Sequence, residues 1–423
     1  MLSSILPPRG SLRRDLLAST TDALAFSVMV GCGETYFAAF ALALGLGPVS
    51  AGIVATVPIL VSALVQLAAP LAVARLRSNR RWVVACTTVQ SLCFVPLVWW
   101  AIRGHATLGE LLIAAAVYWS AGMAGVSAWT TWMAALVPEQ IRTSYFAQRN
   151  RLSQFGVFIG FVVSGLVLQW GESRSALLPA FAVTFLIAGA SRLFSTACLI
   201  ACREPEGRSD TSPPQAGGLR ERIAAPLRVL SRRPAGAIVV FLCWFMFGTQ
   251  IAAPYFTPYM LRELGFSYHT FMLVYGTSFL SKAVFLPTIG RGASRVGAVR
   301  TLWLASLAIL PLALLWLPSA NVAYLCVVQV LAGACWGSYE LAVTLIFFEA
   351  IEAKERTAVV TAYNIGIAMA TVAGGTFGGL ILRSLGEDWQ AYATVFVVSC
   401  LARLTAIPLL RWTTSRFVIS RTA

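Results

Sequence analysis

Residues 50–74 read SAGIVATVPILVSALVQLAAPLAVA, 25 positions without one charged side chain. A run of that length meets the roughly 20 residues a helix needs to cross the hydrocarbon core of a bilayer. Eleven further runs of similar character follow or precede it, so that the set lies near residues 18–44, 49–74, 82–102, 109–136, 146–170, 177–201, 235–260, 267–290, 298–317, 321–348, 357–384 and 389–411. They are continuous and do not alternate over about ten residues, which argues against the strands of a lipid-facing barrel. A chain that is 58% hydrophobic and 12% charged fits the same reading, because soluble domains carry about twice that charged fraction. The expected fold class is therefore all-α and integral to the membrane, with twelve transmembrane helices. The first run follows Arg9, Arg13 and Arg14 as a signal peptide would, but it is too long for one and holds Glu34, so it is expected to stay as the first span.

The formal net charge of +15 would suit a nucleic-acid partner if the basic residues clustered on a folded surface. They instead fall between alternate apolar runs. Arg75, Arg77, Arg80, Arg81, Arg232, Arg233, Arg291, Arg295 and Arg300 lie on one side, whereas Arg103, Arg174, Arg262 and Arg383 lie on the other. That bias is the positive-inside pattern. It places both termini in the cytoplasm of a cell whose plasma membrane the chain spans, with membrane lipids rather than nucleic acid as the partner of the charge.

Several chemistries find no support. The nine cysteines are scattered without a C-x-x-C pair, and His105 and His269 stand apart, so neither a metal site nor a disulfide framework is expected. No phosphate-binding G-x-x-x-x-G-K-[ST] loop is present, and no nucleophile and base stand at a recognisable spacing. The reading is of a non-enzyme without a cofactor.

The chain also repeats itself. VPEQIRTSYFAQRN (137–150) carries Arg142 and Asn150, and IEAKERTAVVTAYN (351–364) carries Arg356 and Asn364 at the same spacing, 214 residues later. The same shift aligns Gly160 with Gly374 and Gly165 with Gly379; a shift of 219 aligns Tyr36 and Phe37 with Tyr255 and Phe256, and one of 215 aligns Pro96 with Pro311. The order is kept while loop lengths drift, as duplication of a six-helix unit would produce. Between the copies runs a Pro-, Gly-, Ser- and Arg-rich stretch. The expected organisation is an N-terminal six-helix bundle over 1–202, a cytoplasmic linker over 203–234 and a C-terminal six-helix bundle over 235–423.

These features resemble the major facilitator superfamily over nearly the whole chain. RLRSNRRW (75–82) and RGASRVGAVR (291–300) are similar to that family's basic loop motif after helices 2 and 8, although its aspartate is absent near Ala74 and Arg291. Span 5, GVFIGFVVSG, lacks the proline motif of the drug-antiporter branch, so no subfamily is assigned. The resemblance implies two pseudo-symmetric bundles that rock around a central site, with helices 1, 4, 7 and 10 lining the cavity. The activity it implies is secondary active transport of a small organic solute, expected here to be proton-coupled and carried by a monomer. Two other uses of such a fold are a membrane scaffold or assembly factor and a flippase for lipid-linked substrates.

Polar groups that break the repeat are the candidates for work on an asymmetric ligand. Glu34 aligns with Ala253, Glu340 with Val126 and Lys282 near Leu64. A charge inside a bilayer costs several kcal/mol unless it is paired or hydrated, so such residues face a partner or a cavity. Glu34, in GCGETYF, is the first choice for proton coupling, with Gly31 and Gly33 beside it permitting a bend. Glu340 and Lys282 are further substrate or coupling candidates, and Trp336 and Tyr339 in GACWGSYELAV place aromatic rings next to Glu340 for an organic ligand. Trp129, Trp132, Gln250 and Tyr255 are read as cavity walls. Arg142, Asn150, Arg356 and Asn364 are read as gating residues, with the arginines at the cytoplasmic ends of helices 4 and 10 where their fixed donors suit helix carbonyls or a carboxylate. Asp22 is read as a helix-end cap, and Arg192 and Arg403 as snorkelling to headgroups.

Overall fold

The computed structural model describes residues 10–66, 69–205, 235–349 and 353–419. Among these are twelve helices long and apolar enough to cross a membrane: α1 (Ser11–Ala43), α2 (Pro48–Gln66), α3 (Asn79–Arg103), α4 (Leu108–Met133), α5 (Gln148–Ser173), α6 (Leu177–Ala201), α7 (Gly236–Glu263), α8 (Tyr268–Ala293), α9 (Ala298–Trp316), α10 (Val322–Ile346), α11 (Ala362–Leu385) and α12 (Trp389–Leu410). No strand occurs among the described residues.

The helices extend further than their apolar parts. The helix that contains α5 begins at Glu139, and the one that contains α11 begins at Ala353. Arg142 therefore shares a helix with Asn150, and Arg356 with Asn364, instead of ending helices 4 and 10 as the sequence reading had it. Hydropathy marks where a helix enters lipid, whereas backbone hydrogen bonding carries the helix on through polar residues beyond it. The side chains of Arg142 and Arg356, and residues 206–234 of the expected linker, lie outside what is described.

Four spans are interrupted, and the interruptions come in repeat-related pairs. In α1 the α-helix stops at Cys32, a 3-10 turn covers Glu34–Tyr36, and the α-helix resumes at Phe37. Here Thr35 donates its hydroxyl to the Gly31 carbonyl at 2.7 Å, the i−4 back-bond that competes with helix geometry and bends it. In α7 the equivalent turn is Ala253–Tyr255, and its cause is Pro254, which lacks an amide donor and clashes with the preceding turn. In α3 the break at Cys93 comes just before Pro96, and in α9 a 3-10 stretch, Leu310–Trp316, contains Pro311. In α1 and α7 different residues thus produce the same interruption, whereas α3 and α9 share an aligned proline.

The described residues group into two compact units: 10–50, 57–205 and 267–272 in one, 51–56, 235–266 and 273–419 in the other. In the first, α1 packs against α5 and α6; in the second, α7 packs against α11 and α12. Close approach requires glycine in both, since a Cβ on Gly160 would collide with the Val28 carbonyl and one on Gly374 with the Phe247 carbonyl. Above these crossings Tyr36 donates to the Phe161 carbonyl at 2.8 Å, and Tyr255 to the Gly375 carbonyl at 2.6 Å. Residues 203–205, assigned to the linker from sequence, are fastened to the first unit. The Glu204 carboxylate accepts from the Ser78 hydroxyl at 2.5 Å and from the Asn79 amide at 2.9 Å, satisfying the open N-terminus of α3.

Candidate substrate and proton-coupling site

Glu34 sits where α1 is bent, on the 3-10 turn, half-buried. Its carboxylate accepts a hydrogen bond from the Tyr118 hydroxyl in α4 at 2.9 Å. Tyr118 is 1% exposed and is held by rings on two sides, with Phe37 at 5.3 Å and Phe94 at 5.7 Å between centroids. An aromatic wall of this kind keeps water from the protein side of the carboxyl group, so the phenol supplies the polar contact that bulk water otherwise would. Tyr118 was not among the sequence candidates; in VYWSAG it reads as one more aromatic in a membrane helix.

Deeper in the first unit, Asp22 is not an end cap. It is 3% exposed and anchors a network across four spans. Arg149 of α5 pairs with it at 3.1 Å, and the same guanidinium donates to the Ser19 carbonyl and lies 4.4 Å from the centre of the Trp129 ring. Ser195 of α6 donates to the other carboxylate oxygen at 2.7 Å, and Arg192 donates to Ser195 at 2.9 Å and to Gln90 of α3 at 2.8 Å. Arg192 is 6% exposed, which corrects the snorkelling assignment: the hydroxyl, amide and carboxylate around it make burial of the guanidinium tolerable. Arg149 was not among the sequence candidates, since its neighbours QRNR place it in a basic segment.

In the second unit, Lys282 of α8 forms an ion pair with Glu340 of α10, and the Glu340 side chain is 55% exposed. The expected grouping of Trp336, Tyr339 and Glu340 is only partly realised. Adjacent helix positions point about 100° apart, and Tyr339 turns into the core, 2% exposed and stacked on Phe245 at 5.3 Å, with Trp336 against its edge at 5.5 Å. Arg403, expected to snorkel, is 3% exposed and donates to the Ile309 and Ser399 carbonyls.

Two proposed cavity walls are structural instead. Trp132 is 1% exposed, packs in the core of the first unit and donates to the Arg203 carbonyl at 3.0 Å. Tyr255 is fully buried by its bond to Gly375, and Gly52 lies against its ring. Trp129 and Gln250 are half-buried, the latter near Met246, and Asn150 and Asn364 are exposed. No group of three or more metal-ligating side chains occurs among the described residues.

Residues 23–252 and 245–418 match the sequence profile of the Major Facilitator Superfamily. The chain belongs to the major facilitator superfamily. It is accordingly a multi-pass membrane transporter and not an enzyme. Among solved structures, this superfamily member is similar to the nucleoside transporter NupG, with a TM-score of 0.65 and 13% identity over 95% of this chain and 98% of that one. It is likewise similar to a D-xylose-proton symporter, with a TM-score of 0.68 and 13% identity over 94% of this chain and 97% of the other. At that identity the likeness is one of fold. No curated protein matches the sequence.

Proposed function

We propose that this protein is a secondary active transporter of a small organic solute, working by alternating access in the plasma membrane with both termini cytoplasmic, and that Glu34 couples transport to protons. The observation that carries the coupling is the position of this carboxyl group. It lies at a bend in a membrane span, against an aromatic cluster, with a phenol donating to it. A carboxylate with little water around it is costly, and opening the site to water removes that cost, so one conformational change alters proton affinity at one group. The bend supplies a place for such a change, because a 3-10 turn has fewer well-aligned backbone bonds to break than continuous α-helix. The D-xylose-proton symporter, whose name carries both an organic solute and protons, shares the fold, which supports the class of activity. Lys282 and Glu340, with the half-exposed Trp336 beside them, are the candidate solute contacts of the second unit. Arg142, Asn150, Arg356 and Asn364 are assigned to gating by their repeat-related positions.

Uptake or efflux in proteoliposomes, with and without an imposed pH gradient, tests the coupling. Gln keeps the shape of the protonated acid, so Glu34→Gln is expected to abolish gradient-driven accumulation while sparing solute binding. A Gln variant that still concentrates solute as the parent does removes Glu34 from the role.

A further inference from the structure

The first unit carries a groove whose lining shares no residue with the candidate site described above. Between α5 and α6 this groove of about 360 Å³ is lined by Leu166, Val167, Trp170, Pro179, Ala180 and Val183, with almost no polar surface. Leu166 is 52% exposed, Trp170 55% and Val183 45%, so the groove opens outward from the unit and is not part of its core. Both walls belong to membrane-spanning helices. At its end, one turn beyond Trp170, the exposed Arg174 follows the last residue of α5 and holds its guanidinium 4.5 Å from the centre of the Trp170 ring.

We infer that this groove is a binding site for a diacyl phospholipid, one acyl chain lying along Leu166, Trp170 and Val183 and the headgroup phosphate bound by Arg174. Three observations favour this occupant over an apolar solute or a helix of another chain. The first is length. Leu166 to Arg174 is eight residues, about 12 Å of helix rise, which carries a chain from headgroup level well into the hydrocarbon layer. The second is order: cation, then Trp, then aliphatic residues run along one face of α5, the same sequence as phosphate, glycerol region and acyl chain in a lipid. The third is charge. A guanidinium offers paired donors to a phosphate, and stacking on Trp170 fixes the plane of those donors without using any of them. Glu172, in the last turn of α5, is the acidic neighbour in sequence; it is exposed and separated by one residue, so it moderates the preference for anionic headgroups without satisfying Arg174.

The energetics decide which contact sets selectivity. Lipid tails are as apolar as the groove, so moving a tail from bilayer to groove gains nothing from the hydrophobic effect and only the gain from packing. The phosphate contact therefore controls retention. A basic residue near a membrane surface contributes about 1 kcal/mol toward an anionic lipid, so Arg174→Gln is expected to weaken phosphatidylglycerol retention roughly 5-fold.

The test uses the full-length protein in mild detergent, titrated with phosphatidylglycerol or with diacylglycerol of the same chains, and reads bound lipid by native mass spectrometry and melting temperature. The parent is expected to retain phosphatidylglycerol and to be stabilised by it, with diacylglycerol much weaker. Arg174→Gln should reduce retention of phosphatidylglycerol to the level of diacylglycerol. Val183→Trp, a change at a lipid-exposed position that fills the groove, should reduce both. Equal retention of phosphatidylglycerol by the parent and both variants overturns the site, as does equal retention of the two lipids by the parent.

Discussion

Asp22 is the buried carboxylate through which two guanidinium groups of the first unit are held, and this makes an ordering of mutant stabilities that can be worked out in advance. Removing one member of a buried ion pair costs about 3–5 kcal/mol, most of it the cost of the charge left behind. Asp22→Leu leaves both Arg149 and Arg192 without a carboxylate, since Arg149 bonds it directly at 3.1 Å and Arg192 reaches it through Ser195. Its cost should lie at or above the upper end, about 5 kcal/mol. Arg149→Met leaves Asp22 bonded to Ser195 with Arg192 behind it, so the remaining charge is still partly compensated and the loss should be near 3 kcal/mol. In a unit of this size each kcal/mol moves the melting temperature by about 2–4 °C, which separates the two variants by several degrees. Combining Asp22→Leu with Arg149→Met should recover only part of the loss, because Arg192 stays buried and charged. Adding Arg192→Met should recover more, as replacement of a whole buried ionic group by apolar side chains does elsewhere. Melting of the four variants in detergent, followed by tryptophan fluorescence, reads the order directly. Asp22→Leu no more destabilising than Arg149→Met, or a triple variant no more stable than Asp22→Leu alone, would refute the network as the source of stability.

Two other outcomes follow from the geometry. Tyr36→Phe and Tyr255→Phe each remove one buried hydrogen bond to a carbonyl of the packed span, so each should cost about 1 kcal/mol; melting of the single and double variants should show equal and additive losses, these residues lying in different units. Lys282→Met breaks a pair whose carboxylate is 55% exposed, so the melting temperature should change by no more than about 1 kcal/mol allows, and a large loss of solute uptake measured alongside would mark the lysine as a contact to solute instead of a brace.

Elements whose cause is local were legible in the sequence. The spans follow from unbroken apolar length, and the duplication follows from ordered matches at shifts of 214 to 219 residues. Glu34 was found because a single acid in an apolar run stands out against its neighbours. Its partner Tyr118 was not, because hydrogen bonding between residues 84 positions apart leaves no periodic trace. The Asp22 network failed for the same reason and for a second one. Asp22 follows STT and resembles a cap, while Arg149 sits in QRNR and resembles a loop anchor, so each has an ordinary local explanation that hides the pair. Trp132 and Tyr255 were misplaced because a buried aromatic and a cavity aromatic have the same sequence; only the bonds to Arg203 and Gly375 distinguish them.

The duplication also separates what the fold requires from what this protein has added. Tyr36 bonds Phe161 and Tyr255 bonds Gly375, and the acceptors differ because a backbone carbonyl, not a side chain, receives the bond. What both copies retain is therefore a crossing geometry, with Gly160 and Gly374 permitting it. Arg192 and Arg403 are 211 residues apart and both buried, yet their surroundings have diverged. The positions that serve Arg192 in the first unit are Gln90, Ser195 and Asp22; at the repeat offsets the second unit has Ala305, Ala406 and Phe241, all in its apolar core. Arg403 is left with the Ile309 and Ser399 carbonyls, and one of its terminal nitrogens finds no partner among the described residues. A guanidinium that keeps its place in both copies, with a carboxylate in only one, marks the arginine as the element the two halves share and the Asp22 network as particular to the first. The same half carries Glu34, where the other has Ala253. Polar chemistry has thus accumulated around α1 while α7 has kept only the bend, the arrangement expected if the first unit handles the proton and the second holds the solute.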